Sequence, residues 1–418
     1  MKRKGIVGEA ATLVSGNVLA QVITLLAYFV LTRIFTPADY GLFNIFYSYI
    51  EVLIIFSTCK YELAVVVADD EREASAVAHF ALRLNMVVST LLLTVALVLW
   101  LTGALPGNFA QLGWMVLLIP PMVFFCGTSR VYSFLYNRFH RYAMIAVSDN
   151  VNAGTGAVMK IVLGLLGFSQ SGLPVGTVIG QAASNVNYRL RMRTLSLPKV
   201  TAAEGRAAAS KHRNFPIFVA SKDLANTFAS NLPFLWAALC FDRAEVGLFG
   251  LALTFTMQPV NIVSAAFERV LYARTAEAVR DRRPIMRLIR RFLLTLLAVA
   301  VPVCVLAWFL AEPLFVLCFG DRWQGCGVFV QCLLPLALVA LCSTSLMFVS
   351  NVFSTQRVDF VFFLVLAALR VTAIAVGIAQ GSFLLAIALY AAAGTLVQAS
   401  LLLWYLWQVR RYERSLTS

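Results

Sequence analysis

The sequence predicts an all-α integral membrane protein of about twelve transmembrane helices, in two six-helix lobes related by a parallel pseudo-two-fold repeat around a central cleft. Three observations lead there. Of its 418 residues, 60% are hydrophobic and 13% charged, and the mean hydropathy is +0.81, well beyond a soluble domain. Runs of roughly 20 mostly apolar residues, the length that crosses a bilayer as a helix, follow one another with short connections. Finally, ADYGLFNIF at 38–46 recurs 206 residues later as AEVGLFGLA at 244–252. Sustained apolar/polar alternation is missing, which excludes a membrane β-barrel.

The expected spans are 10–34, 40–59, 77–102, 112–136, 142–168, 172–190, 215–240, 246–267, 288–310, 325–352, 358–379 and 383–408. With the N-terminus inside, cytoplasmic segments together with the adjoining span ends hold 26 of the 34 Lys and Arg residues, and the outside loops with their adjoining ends only Arg33, Arg243 and Arg322. That asymmetry predicts an N-in, C-in protein of the bacterial plasma membrane. It also accounts for the net charge of +14, since the basic clusters at 189–213 and 269–291 flank helices. Anionic lipid headgroups are therefore the expected neighbours, and nucleic acid is not.

The first span begins like a signal peptide only in being basic. Its apolar stretch runs to about Ile34 without a small-residue cleavage site, so it is expected to remain. Asn17, Gln21, Thr24 and Tyr28 share one of its faces, and such polar stripes face a bundle interior or a water-filled cavity. The second span opens on the repeated motif and carries Glu51, with Glu62 beyond its cytoplasmic end. The run Asp69, Asp70, Glu71, Glu73 reads as a solvated cytoplasmic loop.

Arg83 in the third span and Arg130 in the fourth lie towards cytoplasmic ends, within snorkelling reach of headgroups. The fifth carries Asp149 and, three turns on, Lys160 between Gly156 and Gly164. In the sixth, Gly172, Gly176, Gly180 and Ser184 form a ridge for close helix packing. A long basic loop at 191–214 then divides the chain into lobes 1–205 and 206–418.

The seventh span mirrors the first, with Asp223, Thr227, Ser230 and Phe234 at the shifted stripe positions and Lys222 and Asn226 alongside. Hydrogen bonding between helices explains such groups as readily as a cleft does, and Lys222 beside Asp223 allows a local ion pair. The eighth span repeats the motif, maps Glu62 onto Glu268, and leads into RVLYARTAEAVRDRRPIMRLIRRF. That segment is expected partly at the inner interface, broken by Pro284 before the ninth span.

Cys318 and Cys326 flank the outside loop before the tenth span and are close enough in sequence to pair in an oxidising compartment, although connectivity is not readable from spacing. Otherwise the eight cysteines and three histidines show no metal-ligand spacing. The eleventh span carries Arg370 near its middle. A buried cation in a bilayer costs at least about 2.5 kcal/mol, so Lys160, Arg370, Lys222, Arg130 and Arg83 form a candidate cationic lining for an anion. Asn17, Gln21, Thr24, Asn226 and Thr227 are candidate polar lining residues. Asp149, Asp223, Glu51, Glu62 and Glu268 are candidates for coupling or gating. No nucleotide-binding loop is present, and no catalytic residue is assigned.

LTRIFTPADYGLF, followed by KYELAVVVADDEREASAVA, resembles the start of Wzx-type polysaccharide flippases of the multidrug/oligosaccharidyl-lipid/polysaccharide exporter superfamily. FPIFVASKDLANTFASNLPFLW, AEVGLFGLALTFTMQPVNIVSAAFERVLY and FGDRWQGCGVFVQCLLPLAL continue the likeness over almost the whole chain. Lys60 stands where the family usually has Arg before Tyr-Glu, keeping the charge without the guanidinium fork.

The resemblance implies alternating-access flipping of a polyprenyl-diphosphate-linked oligosaccharide for O-antigen (lipopolysaccharide), capsule or exopolysaccharide. It implies no cofactor, a proton or sodium gradient as the energy source, and a polysaccharide polymerase and chain-length regulator as partners. Twelve spans argue against the fourteen-span lipid II flippases. The rival readings are a multidrug cation antiporter, which would want an acidic cleft, and a membrane polymerase or ligase, which would want catalytic groups in larger outside loops.

Overall fold

A computed structural model describes residues 6–192, 195, 197–281, 283–353 and 355–417. It divides into two compact units, Met1–Phe228 and Ala229–Ser418.

The first unit holds α1 (Ile6–Ile34), α2 (Pro37–Thr58), α3 (Tyr61–Val67), α4 (Glu71–Leu101), α5 (Asn108–Leu112), α6 (Ile119–Arg138), α7 (Tyr142–Leu165), α8 (Ser169–Met192) and α9 (Ala202–Lys211). The unit boundary falls within α10 (Ser221–Leu235), which a π-helical turn over Phe215–Ala220 precedes. The second unit continues with α11 (Arg243–Arg280), α12 (Met286–Phe319), α13 (Cys326–Ser345), α14 (Phe348–Val352), α15 (Gln356–Ala379) and α16 (Phe383–Thr417).

Among the described residues, eight helices are long and apolar enough to cross a membrane, and Val18–Ile34 is a shorter apolar stretch. The remaining expected spans, α7, α8 and α10, are the polar ones. α7 carries Asp149, Asn150, Asn152 and Lys160, and α8 carries Gln181, Asn185 and Asn187. A helix this polar is stable in a bilayer only where its neighbours satisfy it. α7 does so, packing between α1 and α8.

The repeated sequence motif is a repeated helix start. Thr36 caps α2: its hydroxyl accepts from the Asp39 N–H at 3.3 Å, the Asp39 carboxylate accepts from the Thr36 N–H at 2.9 Å, and Pro37 occupies the first turn. This reciprocal box satisfies otherwise orphaned N–H groups. At the equivalent place Asp242 caps α11, accepting from the Ala244 N–H at 3.0 Å, with Glu245 in the first turn. α11 has 38 residues, about 57 Å at 1.5 Å per residue, so it outruns the bilayer and carries the basic segment as helix. Pro284 lies in the break before α12.

Glycines set the closest helix approach in the first unit. A Cβ on Gly180 would meet the Asn152 carbonyl at 2.8 Å and Gly156 Cα at 2.8 Å, and one on Gly176 would strike Lys160. The expected small-residue ridge on α8 is thus the seam against α7. In the second unit the aromatic rings of Phe234, Phe249, Phe329 and Phe383 interlock at centroid distances of 5.3–6.0 Å. Facing outward, Phe309 and Leu317 of α12 and Leu91 of α4 are exposed, as a lipid-facing surface requires.

The acidic run is more than a solvated loop. α9, inside the long basic loop, starts on a Thr201–Glu204 capping box and docks against α4. Arg72 meets Glu204 at 2.6 Å, and Lys211 reaches Asp69 at 2.8 Å and Glu73 at 2.6 Å. The Tyr61 hydroxyl donates to the Ala209 carbonyl at 3.3 Å. Hydrogen bonds from the Thr201 N–H and hydroxyl, and then Arg72, hold the Glu204 carboxyl down at about 2, while Asp69 and Glu73 raise Lys211 above its ordinary value. Cys318 and Cys326 are both free thiols, and the Cys326 thiol donates to the Leu248 carbonyl.

Candidate functional site

In the first unit the chain turns sharply after α2. Cys59 and Lys60 both take left-handed backbone conformations, with φ of 47° and 62°, unusual for residues with side chains. The turn sends Lys60 to Asp223 on α10, a 2.8 Å ion pair with the two side chains 15% and 36% exposed. Asp223 therefore pairs with a residue 163 positions away, where a neighbouring Lys222 had been the local candidate. Glu62 is buried and accepts the Thr58 hydroxyl at 2.6 Å. Lys222, Asn226 and Thr227 are half-buried on the same α10 segment.

Lys160 lies with its Nζ 5.3 Å from the centre of the Phe43 ring, and Gly176 of α8 abuts its stem. A cation over an aromatic face recovers part of its desolvation cost, and no carboxylate pairs with it among the described residues. Asp149 is half-buried on the same helix, about 16 Å away along the axis. Glu51 on α2 and Arg130 on α6 both act electrostatically on the Tyr47 hydroxyl, which groups one predicted acid with one predicted base. On α1, Gln21 has its Oε1 buried without a partner, whereas Thr24 is exposed and donates to its own helix at the Ala20 carbonyl, 2.9 Å away. The side chain of Asn17 lies outside the described residues.

A polar ladder that the sequence did not announce crosses this unit. Asn152 donates to Gln181 at 2.8 Å, Gln181 to Ser129 at 2.9 Å, and Asn185 to Ser129 at 2.9 Å. Asn85 donates to the Phe124 carbonyl at 2.9 Å and to Thr128 at 3.1 Å. These amides tie α4, α6, α7 and α8 together where hydrocarbon offers no alternative partner.

In the second unit Arg370 is 8% exposed. Its Nη1 donates to Ser230 Oγ at 2.9 Å, and its guanidinium lies 4.3 Å from the Tyr390 ring centre. Tyr390 is itself held by a 3.2 Å bond to the Ser230 carbonyl. Arg370 Nε is buried with no partner, and no carboxylate faces this cation among the described residues. Ser230 belongs to the polar stripe expected on the seventh span. The arrangement is a preoriented, desolvated guanidinium with an unused donor, suited to a phosphate or carboxylate oxygen.

Glu268, half-buried on α11, acts electrostatically on Tyr405. The Tyr405 hydroxyl donates to Asp359 at 3.1 Å, and Ser350 also donates to that buried carboxylate. Asp359 escaped the sequence reading because it sits at the start of an apolar span with no polar periodicity around it. Among the described residues no group of His, Cys, Asp and Glu is arranged to hold a metal ion.

Comparison with known proteins places this geometry in a family. The profile of a family described as polysaccharide biosynthesis protein matches residues 30–328, more than half of the chain. The succinoglycan biosynthesis transport protein ExoT of Rhizobium meliloti (strain 1021) is 24% identical over 400 residues, covering 92% of this chain and 76% of that protein. An inward-facing multidrug resistance MATE family transporter of the MOP superfamily shares the fold with a TM-score of 0.73 at 12% identity, covering 94% of this chain and 96% of that one. The lipid II flippase MurJ in an inward closed conformation gives 0.73 at 10% identity, covering 97% and 90%.

Proposed function

The chain belongs to the polysaccharide biosynthesis protein family, and from that membership we propose that it is a flippase for polyprenyl-diphosphate-linked oligosaccharide. It is a multi-pass membrane transporter and not an enzyme: the chemistry is relocation of an amphiphile, with no covalent bond broken. The cargo passes from the cytoplasmic to the outer leaflet of the bacterial inner membrane by alternating access, supplying a surface polysaccharide. The relative named as a succinoglycan biosynthesis transport protein supports that class of cargo.

The observation that carries the reading is Arg370. A guanidinium 8% exposed in a membrane helix, without a carboxylate among the described residues and with Nε buried and unpaired, is complementary to a diphosphate. Lys160 offers a second such cation. This chain shares its fold with a multidrug resistance MATE family transporter, but a carrier of organic cations would gain nothing from either residue.

Glu51, Asp149, Asp223, Glu62 and Glu268 are the groups through which a proton or sodium gradient would be coupled. The Lys60–Asp223 pair is the first candidate for a contact that breaks and re-forms during transport. Orientation with both termini cytoplasmic, and work alongside a polymerase and chain-length regulator, complete the proposal. The test is the leaflet location of lipid-linked oligosaccharide in spheroplasts lacking the gene, probed by an outside-added sugar-modifying enzyme. Full-length lipid-linked units that persist but become inaccessible support the flippase. Single units that reach the outside unpolymerised would instead indicate a polymerase.

A further inference from the structure

The first unit has a groove between α4, α6 and α8, away from Lys160 and the Lys60–Asp223 pair, that contains Arg83 of the expected cationic lining. α4 lines it with His79, Leu82, Arg83 and Met86, and α8 with Ala182, Asn185, Val186 and Arg189, the same i, i+3, i+4, i+7 spacing on each helix. Aromatic rings of α6 form the floor, and the cavity measures about 420 Å³, the scale of a small-molecule site and not of a passage.

We propose that this groove binds the headgroup of an anionic glycerophospholipid bearing a free hydroxyl, of the phosphatidylglycerol type. Two features select the chemistry. Arg83 and Arg189 are both exposed and neither meets a carboxylate among the described residues, so two guanidinium forks face the groove's rim without an anion. Asn185 is 7% exposed, and its Nδ2 is committed to the Phe125 carbonyl, Ser129 Oγ and the Gln181 carbonyl at 2.8–2.9 Å. Those donations fix the amide, leaving Oδ1 buried with no partner. A headgroup that parts the groove lining would reach this acceptor with a hydroxyl donor, which a glycerol headgroup has and a bare lipid phosphate in its ionised form lacks.

Surroundings select a lipid over a soluble anion. Met86 and Val186 in the groove, and Val87 and Leu91 beside it on α4, are exposed apolar side chains within spans, where acyl chains are the available neighbours. α4 and α8 contribute their halves nearest the loops that carry α9 and the basic clusters, the end at which anionic headgroups concentrate, and α6 contributes Phe124, Phe125, Thr128 and Tyr132 about its middle. His79 adds a fourth polar group. Its Nδ1 donates to the Ser75 carbonyl at 2.8 Å, which leaves Nε2 for a ligand.

The test uses the purified full-length chain in phosphatidylcholine nanodiscs doped with phosphatidylglycerol, with retained lipid counted by native mass spectrometry. The wild type is expected to retain phosphatidylglycerol selectively. The Arg83→Gln/Arg189→Gln variant should need at least about tenfold more of it, the loss expected from one charge-assisted contact. Arg287→Gln/Arg290→Gln, which removes equal charge from α12, should bind as wild type. Val186→Trp, which fills the groove and keeps both arginines, should lose the lipid as well and covers the case in which the double variant does not fold. The proposal is overturned if phosphatidylglycerol shows no preference over phosphatidylcholine, or if both arginine pairs weaken retention equally. Displacement by polyprenyl phosphate at an equal mole fraction would also overturn it, assigning the groove to the cargo's lipid.

Discussion

Replacing Arg370 with Gln separates a structural cation from a substrate-binding one. Burying the guanidinium costs at least about 2.5 kcal/mol. The Tyr390 ring at 4.3 Å returns about 2 kcal/mol for a desolvated cation–π contact, and the Ser230 hydrogen bond at 2.9 Å about 1 kcal/mol. Cost and gain nearly cancel, so Arg370→Gln should shift stability by less than about 1 kcal/mol, or less than about 4 °C in Tm.

Transport should respond quite differently. A charge-assisted bond from the guanidinium to a phosphate oxygen contributes about 1.5–3 kcal/mol, so its loss lowers transport by about 10- to 160-fold. Arg370→Lys keeps charge without the fork and should fall between. Abundance and Tm are read by fluorescence-detected size exclusion, and transport by restoration of surface polysaccharide in a null strain at matched expression. Wild-type transport by Arg370→Gln at equal abundance would mean that the guanidinium does not bind substrate. So would a transport loss that merely tracks abundance.

Three further outcomes follow from other contacts. Gly180→Leu should abolish folded protein, because its side chain has to displace backbone at 2.8 Å at a cost of roughly 1–3 kcal/mol or more; normal abundance would show that the α7–α8 seam is looser than described. Lys60→Gln and Asp223→Asn should give similar transport defects that do not add in the double variant, since both break one pair; additive defects would mean that the residues act separately. For α9, the Glu204 carboxyl is depressed from 4.5 to about 2, so its contribution is complete above its ordinary value and is lost as pH falls towards the folded value. Lys211 is raised from 10.5, so its contribution holds at every pH below that. Hydrogen exchange over residues 202–211, corrected for intrinsic rate, should therefore be flat near neutrality and rise only below about pH 4.5; a rise near pH 7 would contradict this.

The membrane class and the helix starts could be read from the sequence because they are local. Apolar runs of membrane length are contiguous, and Thr36-Pro-Ala-Asp39 with its echo Asp242-Arg-Ala-Glu245 is a capping signal spanning four residues. The glycine ridge on α8 was similarly readable, since its period alone marks a packing face. What the sequence withheld is pairing across distance. Lys60 finds Asp223, Arg72 finds Glu204, and Asn152 finds Gln181 only once helices are placed side by side. Asp359 hides for the same reason, as Tyr405 and Ser350 reach it from other helices. Arg370 was visible as a lone cation in an apolar span, but the unpaired Nε that makes it useful was not.

A flippase moves a lipid-linked oligosaccharide between leaflets, and that movement depends on the protein. Purified protein would be placed in proteoliposomes with a polyprenyl-diphosphate oligosaccharide carrying a fluorescent sugar, and an impermeant quencher added outside under an imposed proton or sodium gradient. The protected pool should become quenchable only when the protein is present, and far more slowly with Arg370→Gln. A protected pool that stays constant under either gradient, while the same preparation moves an organic cation, would rule out the flippase.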